Sequence, residues 1–164
     1  MSNAERRLSE LGFQLPRPAV LPPGVRIPFS WVRVHGSRAF ASGHGPLAPD
    51  GTMAGPVGQV PSEVSLEQAQ SAGVLALLSM LSSLKQAIGS LDRIDAWLTV
   101  TGFVNAAPDF ELTTMVLNPA SELLLEVFGP EVGAHARTAV GYSTLPFRLP
   151  VVISAELEIA GATA

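Results

Sequence analysis

The segment from Ser65 to Gly89 constrains the fold most, because its pattern predicts one long and almost uncharged helix. Ser65 and Gln68 have the spacing of a capping box, in which each side chain bonds the backbone N–H of the other residue. Gly89 follows as a C-terminal stop. Apolar or small residues recur at helical spacing between them, at Ala69, Gly73, Ala76, Met80, Leu84 and Ala87. The small side chains would let this helix lie close against a sheet.

Runs of alternating or continuous apolar residues predict five strands, at residues 31–34, 38–42, 95–104, 134–142 and 151–159. A His-Gly-Ser turn joins the first two runs and indicates a hairpin. A second helix is predicted from Asn118 as N-cap, with Pro119 at its first position, to Gly129 as its stop. The order ββαβαββ predicts an α+β fold with two helices on one face of a mixed sheet.

Residues 1–27 are predicted to form an N-terminal arm. A polar segment over residues 4–11 suits one or two helical turns, and a proline-rich stretch follows that indicates extended chain. No shift of composition marks a second domain after the arm. Residues 28–164 are therefore expected to form a single domain.

Charged residues make up only 15% of the chain, against about 25% in an average protein. This shortage predicts that part of the surface is buried between copies of the chain. The net charge of −4 argues against nucleic acid as a partner. The longest apolar stretch, residues 74–78, is too short for a membrane helix, and the first residues lack the apolar region of a secretory signal, so a cytoplasmic location is expected.

Few side chains carry an evident chemical signal. Cysteine is absent, and the histidines at positions 35, 44 and 135 lack the spacing of metal ligands, so neither a metal nor a cofactor is expected. Arg137 stands among small and apolar residues of a predicted strand. Its planar guanidinium suits a carboxylate ligand, although a solvent-facing arginine is the commoner arrangement and the one that the pattern alone favours.

The chain resembles the RidA/YjgF family, which includes imine and enamine deaminases and proteins called endoribonuclease L-PSP-like. The resemblance spans nearly the whole chain and is carried by Ser42-Gly43-His44, by GFVNAAPDF at residues 102–110, and by ARTAV at residues 136–140 followed by Leu145-Pro146. The arm indicates a branch with a longer N-terminus. The resemblance implies a chorismate-mutase-like fold and a homotrimer with ligand clefts between subunits.

The resemblance also implies roles for individual residues. Arg137 falls on the family's carboxylate-binding arginine, which reverses the interpretation from pattern alone. Phe29 stands where the family has a cleft tyrosine, and Ala139 where some members have cysteine. The full set of expected substrate-binding residues is Phe29, Ser42, Gly43, Asn118, Arg137, Ala139 and Val152.

Val152 marks the main departure from the family. Active deaminases carry a glutamate there that holds the attacking water, and valine cannot act as a general base. His44 stands where glutamine is common in the family, and it is the remaining candidate base. Arg137 is the other expected catalytic residue, as the anchor of the substrate carboxylate. Three functions stay open: a weak or divergent deaminase that hydrolyses 2-imino acids to 2-keto acids and ammonia, a non-catalytic module that binds small carboxylates, and, as a distant third, an endoribonuclease.

Overall fold

A computed structural model describes residues 1–160, so residues 161–164, the end of the predicted domain, lie outside the described part. The fold is α+β, as predicted, with one five-stranded mixed sheet in the order β1-β2-β5-β3-β4. Strands β3 and β4 are parallel, and the other neighbours are antiparallel. The strands are β1 Val32–His35, β2 Arg38–His44, β3 Ile94–Asn105, β4 Ala136–Tyr142 and β5 Val151–Ile159.

Within residues 1–160, three α-helices accompany the sheet: α1 Asn3–Glu10, α2 Leu66–Ile88 and α3 Thr113–Val132. The predicted capping box is present at α2, since the Gln68 N–H donates to Ser65 Oγ at 3.2 Å and the Ser65 N–H donates to Gln68 Oε1 at 2.9 Å. By length and composition α2 could cross a membrane, with a mean hydropathy of 1.3 in its best window, but 61% of that window is buried inside the fold. Such burial is what the core helix of a non-membrane fold also shows.

The start of α3 differs from the prediction. The helix begins at Thr113, so Asn118 is not its N-cap, and Pro119 lies inside it. Proline has no N–H to bond the carbonyl of the residue four positions earlier. Here the side chain of Gln70 in α2 donates to that Met115 carbonyl at 2.9 Å. A bond between helices thus replaces the missing one, while Gly129, with φ of +82°, interrupts the helix where its stop was predicted.

The N-terminal helix α1 is part of the hydrophobic core. Its Leu8 is only 2% exposed and Ala4 is also buried. The Asp92 carboxylate accepts the N–H groups of Asn3 and Ala4 at 2.7 and 3.0 Å, which satisfies two donors at the start of the helix. The first turns of the arm are therefore fixed to the domain.

Truncating Leu8 tests this anchoring. We expect Leu8→Ala to lower the free energy of unfolding by about 2–4 kcal/mol, because it leaves a cavity in the core. Leu11→Ala is the matched control, since Leu11 follows the same helix but is 43% exposed, and we expect it to cost less than about 1 kcal/mol. Urea denaturation measures both values. Equal values for the two variants would contradict the packing of α1.

Pairing across the strands assigns side chains to the two faces of the sheet. Arg137 pairs with Val100, which is buried beneath the helices, so Arg137 points to the helix-covered face. Val152 pairs with Phe103 and points to the opposite, open face. These two predicted site residues therefore belong to different surfaces of one chain.

Candidate functional site

A cavity of about 590 Å³ lies between the N-terminal arm, the end of β2 and the loop before β5. Four of the expected substrate-binding residues line it: Phe29, Ser42, Gly43 and Val152. The arm and the neighbouring loops supply the other walls, through Ala19, Val20, Leu21, Pro22, Val25, Ile27, Trp31, Gly45, Pro46, Leu47, Met53, Pro146, Phe147 and Leu149. No lining residue within 1–160 has an ionisable side chain.

A bulge in β2 shapes one wall of this cavity. The pairing of β2 with β5 shifts register between Ala41 and His44, so Ser42 and Gly43 stand outside the regular ladder. A Cβ atom at Gly43 would lie 2.9 Å from Val152 Cγ1. Glycine therefore allows β2 to approach Val152 this closely.

The segment that leads from the arm into β1 is fastened to the bulge at Ser42. The Ser42 hydroxyl donates to the Ser30 carbonyl at 2.8 Å, and the Ser42 N–H donates to the Trp31 carbonyl at 2.9 Å. The rings of Phe29 and Trp31 meet edge to face, 5.6 Å between centroids. Ser42, which is expected to face a ligand, therefore also holds this segment in place.

His44 lies behind the cavity and not in its lining. The residue is 2% exposed; its Nδ1 is 2.6 Å from the Ser42 carbonyl and its Nε2 is 2.9 Å from Ser83 Oγ. Since a carbonyl only accepts, Nδ1–H donates to it and Nε2 accepts from the Ser83 hydroxyl. Burial lowers the pKa of His44 from 6.5 to about 4, against the opposing effect of the Ser42 carbonyl. Both nitrogens are engaged, which is the geometry of a structural histidine.

The burial of neutral His44 predicts a dependence of stability on pH. Its pKa in the folded chain lies below that of the unfolded chain, so protons bind the unfolded state more readily. The free energy of unfolding should therefore fall by roughly 3 kcal/mol as the pH drops from 6.5 to about 4. Denaturation at several pH values measures the slope, and His44→Gln should flatten it over this window. A wild-type slope retained in that variant would contradict the assignment.

Arg137 and Asn118 meet at a second location, between β4 and α3. Arg137 Nη2 donates to Asn118 Oδ1 at 2.8 Å and to the Thr114 carbonyl at 3.3 Å, while Nη1 donates to Ser121 Oγ at 3.0 Å. All three acceptors are uncharged. Arg137 also takes part in none of the ion pairs found within residues 1–160. The guanidinium is thus oriented without its charge being neutralised.

A histidine stands behind this arginine. His135 Nδ1 is 2.7 Å from the Gly133 carbonyl and donates to it, so Nε2 accepts from the Ser121 hydroxyl at 2.9 Å. Ser121 thereby presents its lone pairs to Arg137. Ala139 points to the same face of β4 as Arg137, two residues further along the strand. The sequence carried no signal for Ser121 and His135, because contact between them depends on how α3 packs on β4.

One chain does not bring the two groups of residues together. Strands β2 and β4 are separated by β5 and β3, which is three strand spacings or about 14 Å. Arg137 moreover points to the helix-covered face, whereas Val152 points to the open face. A small ligand that contacts both Gly43 and Arg137 therefore needs them from different chains.

Among the cavity residues that precede β1, the resemblance named Phe29 but the others were missed, although a signal was present. Val25, Ile27, Phe29 and Trp31 alternate with other residues, a period of two that places all four on the cavity side. The surrounding prolines hid this pattern, because they indicated an arm without a packed face.

Comparison with known proteins identifies relatives of the chain. Residues 5–157 match the model of a family described as "YjgF/chorismate_mutase-like, putative endoribonuclease". Protein TCP17 of Trypanosoma cruzi is 39% identical over 102 residues, which are 62% of this chain and 64% of that protein. The chain therefore spans a little under two thirds of that relative.

Solved structures share the fold. The structure of Atu1372 from Agrobacterium tumefaciens, a protein of unknown function, is 35% identical, with a TM-score of 0.83 over 95% of this chain and 91% of that chain. Escherichia coli TdcF, solved with bound serine, is 18% identical, with a TM-score of 0.56 over 90% of this chain and 96% of that one. The latter likeness concerns the fold alone.

Proposed function

Because this chain belongs to the YjgF/chorismate-mutase-like family, we propose that it binds small 2-imino or 2-keto acids in clefts between the subunits of a homotrimer. The proposal rests on the unneutralised charge of Arg137. Its guanidinium is held by Asn118 and Ser121, which are neutral, so its charge remains for an anion. A planar fork of N–H donors matches a carboxylate in both charge and geometry.

The separation of the two groups of residues supports a cleft between subunits. Strand β4 is at the edge of the sheet, so a neighbouring chain can approach Arg137 there while presenting its own Gly43 and Val152. Exposed apolar side chains on the open face, Phe40, Val140 and Tyr142, suit burial between subunits. The low content of charged residues agrees with such burial.

The lining of the cavity favours binding over turnover. A general base must lie within hydrogen-bond reach of the proton that it abstracts. Val152 cannot serve, and both nitrogens of His44 are engaged away from the cavity. The bound serine in TdcF agrees with an amino-acid-like carboxylate as the ligand class. An endoribonuclease is disfavoured by the net charge of −4 and by the uncharged lining.

A slow imine deaminase is the second candidate, favoured by the retention of Arg137, Asn118 and Gly43 in the positions that family membership implies. In that reaction water adds to the imine carbon of a 2-imino acid, and the tetrahedral adduct expels ammonia to leave the 2-keto acid. Holding the carboxylate next to water contributes even without a base, since position alone lowers the barrier.

Assembly and binding test the proposal together. We expect light scattering on the purified protein at micromolar concentration to give the mass of three chains. Calorimetry with pyruvate should give one binding site for each chain, because each cleft uses Arg137 from one subunit and Gly43 from the next. A monomer that binds no pyruvate would overturn the cleft between subunits.

A further inference from the structure

We infer that the cavity beneath the N-terminal arm is a subsite for a bulky apolar substituent of the ligand. The ligand class is then a 2-keto or 2-imino acid with an aromatic or long aliphatic side chain. The inference rests on the proposed function only for the carboxylate end, which Arg137 of the adjacent subunit binds. The other end enters a cavity that the described chain forms by itself.

The size and chemistry of the cavity carry this inference. Its volume of about 590 Å³ falls within the range of roughly 300–1,000 Å³ typical of pockets for drug-sized ligands, far more than a three-carbon acid fills. Its lining is almost wholly hydrocarbon, with no ionisable side chain among the described residues. Phe29, Gly43 and Val152 belong both to this lining and to the expected cleft, so a ligand bound in the proposed cleft would extend into this cavity.

The arm forms a fixed wall of the subsite. Its backbone bonds the turn after β2, with the Arg17 N–H donating to the Pro49 carbonyl at 3.1 Å and the Val20 N–H to the Gly51 carbonyl at 2.8 Å. A Cβ at Gly51 would lie 2.2 Å from the Pro18 carbonyl oxygen, so glycine permits this close approach. A wall that is ordered before the ligand arrives reduces the entropy lost on binding.

Another wall, at Phe147, is held in an unusual backbone conformation. Phe147 and Arg148 have φ of 55° and 57°, a region that non-glycine residues rarely adopt. The Gly58 N–H donates to the Arg148 carbonyl at 2.8 Å, and the Arg148 guanidinium pairs with Glu63. These contacts keep the Phe147 side chain half exposed at the cavity, where an apolar group of the ligand would cover it.

Calorimetry with straight-chain 2-keto acids of increasing length, from pyruvate to 2-ketooctanoate, tests the inference on the wild-type protein. Each added methylene that enters the cavity should tighten binding about fourfold. Phenylpyruvate should likewise bind more tightly than pyruvate. A series that binds with the same affinity at every length would overturn the apolar subsite while leaving the proposed carboxylate site intact. Absence of binding by every member would overturn both.

Filling the cavity gives an independent test. Val20 lines the cavity and is 56% exposed, so Val20→Trp should fold and occupy the space with an indole. We expect it to weaken binding of 2-ketooctanoate at least tenfold and to abolish the dependence on chain length. Val57→Trp is the matched control, since Val57 is 42% exposed and outside the lining, and it should keep that dependence. A chain-length dependence unchanged by Val20→Trp would contradict the location.

Discussion

Replacing Arg137 with alanine is expected to weaken the binding of pyruvate by tens-fold or more. Removing one partner of a buried, charged hydrogen bond typically costs roughly 2–5 kcal/mol of binding free energy. Arg137→Lys should restore little, because a single ammonium cannot reproduce the two parallel N–H donors of guanidinium. Calorimetry measures the affinity of the wild type and of both variants for pyruvate.

The control for this experiment is Arg6→Ala, which removes the same charge from an exposed arginine of α1 that pairs with Glu10. We expect its affinity for pyruvate to equal that of the wild type. Within residues 1–160, Arg137 hydrogen-bonds to neutral acceptors and forms no ion pair, so its removal should leave folding and assembly intact. Unchanged affinity in a folded, trimeric Arg137→Ala would exclude it as the carboxylate anchor.

Introducing a carboxylate at position 152 is expected to turn a slow or inactive protein into a measurable deaminase. Val152 lines the cavity beside Gly43, on the face that holds the family's water-binding glutamate by resemblance. A positioned general base contributes typically ~10²–10⁴-fold, so Val152→Glu should raise the release of ammonia from freshly generated 2-iminopropionate by a factor within that range. The apolar surroundings should raise the pKa of the new carboxyl, so the rate should increase as the pH rises through that pKa.

Val152→Gln is the matched control, because it has the same shape and cannot act as a base. Arg137→Ala in the Val152→Glu background should abolish the new rate, since the substrate would lose its orientation. Wild-type activity equal to that of an active family deaminase would show that the missing glutamate does not limit this chain. A folded, trimeric Val152→Glu without activity would show that another part is lacking, and Phe29 is then the next position to restore to tyrosine.

Local signals explain which parts of the fold could be predicted. The capping box at Ser65 and Gln68 and the stop at Gly89 depend on neighbouring residues, and α2 lies where they indicated. The start of α3 could not be found in this way. Its first turns continue through Pro119 because Gln70, distant in sequence, bonds the carbonyl that proline leaves open.

The residues of the candidate site also differ in whether the local sequence could identify them. The resemblance identified Ser42, Gly43 and Val152, and the structure gathers them in one cavity. The resemblance also identified His44. The role of this residue depends on its burial against Trp31 and Ser83, which a sequence motif does not show. The resemblance named Asn118, but the sequence did not show that Asn118 and Ser121 orient Arg137, because both lie in a helix whose start was misplaced.

The attachment of Ser30 and Trp31 to the bulge has an evolutionary consequence. In the proposed cleft, residues 19–31 shape the apolar subsite, whereas β4 and α3 of the adjacent subunit supply the arginine for the acidic group. Mutations in residues 19–31 would therefore change which ligand side chains fit the subsite, while Arg137 would still bind the acidic group. Related chains that share the arginine but differ in residues 19–31 would bind the same acidic group and prefer different ligand side chains. Exchanging residues 19–31 between such chains would transfer the preference for a ligand side chain as a unit.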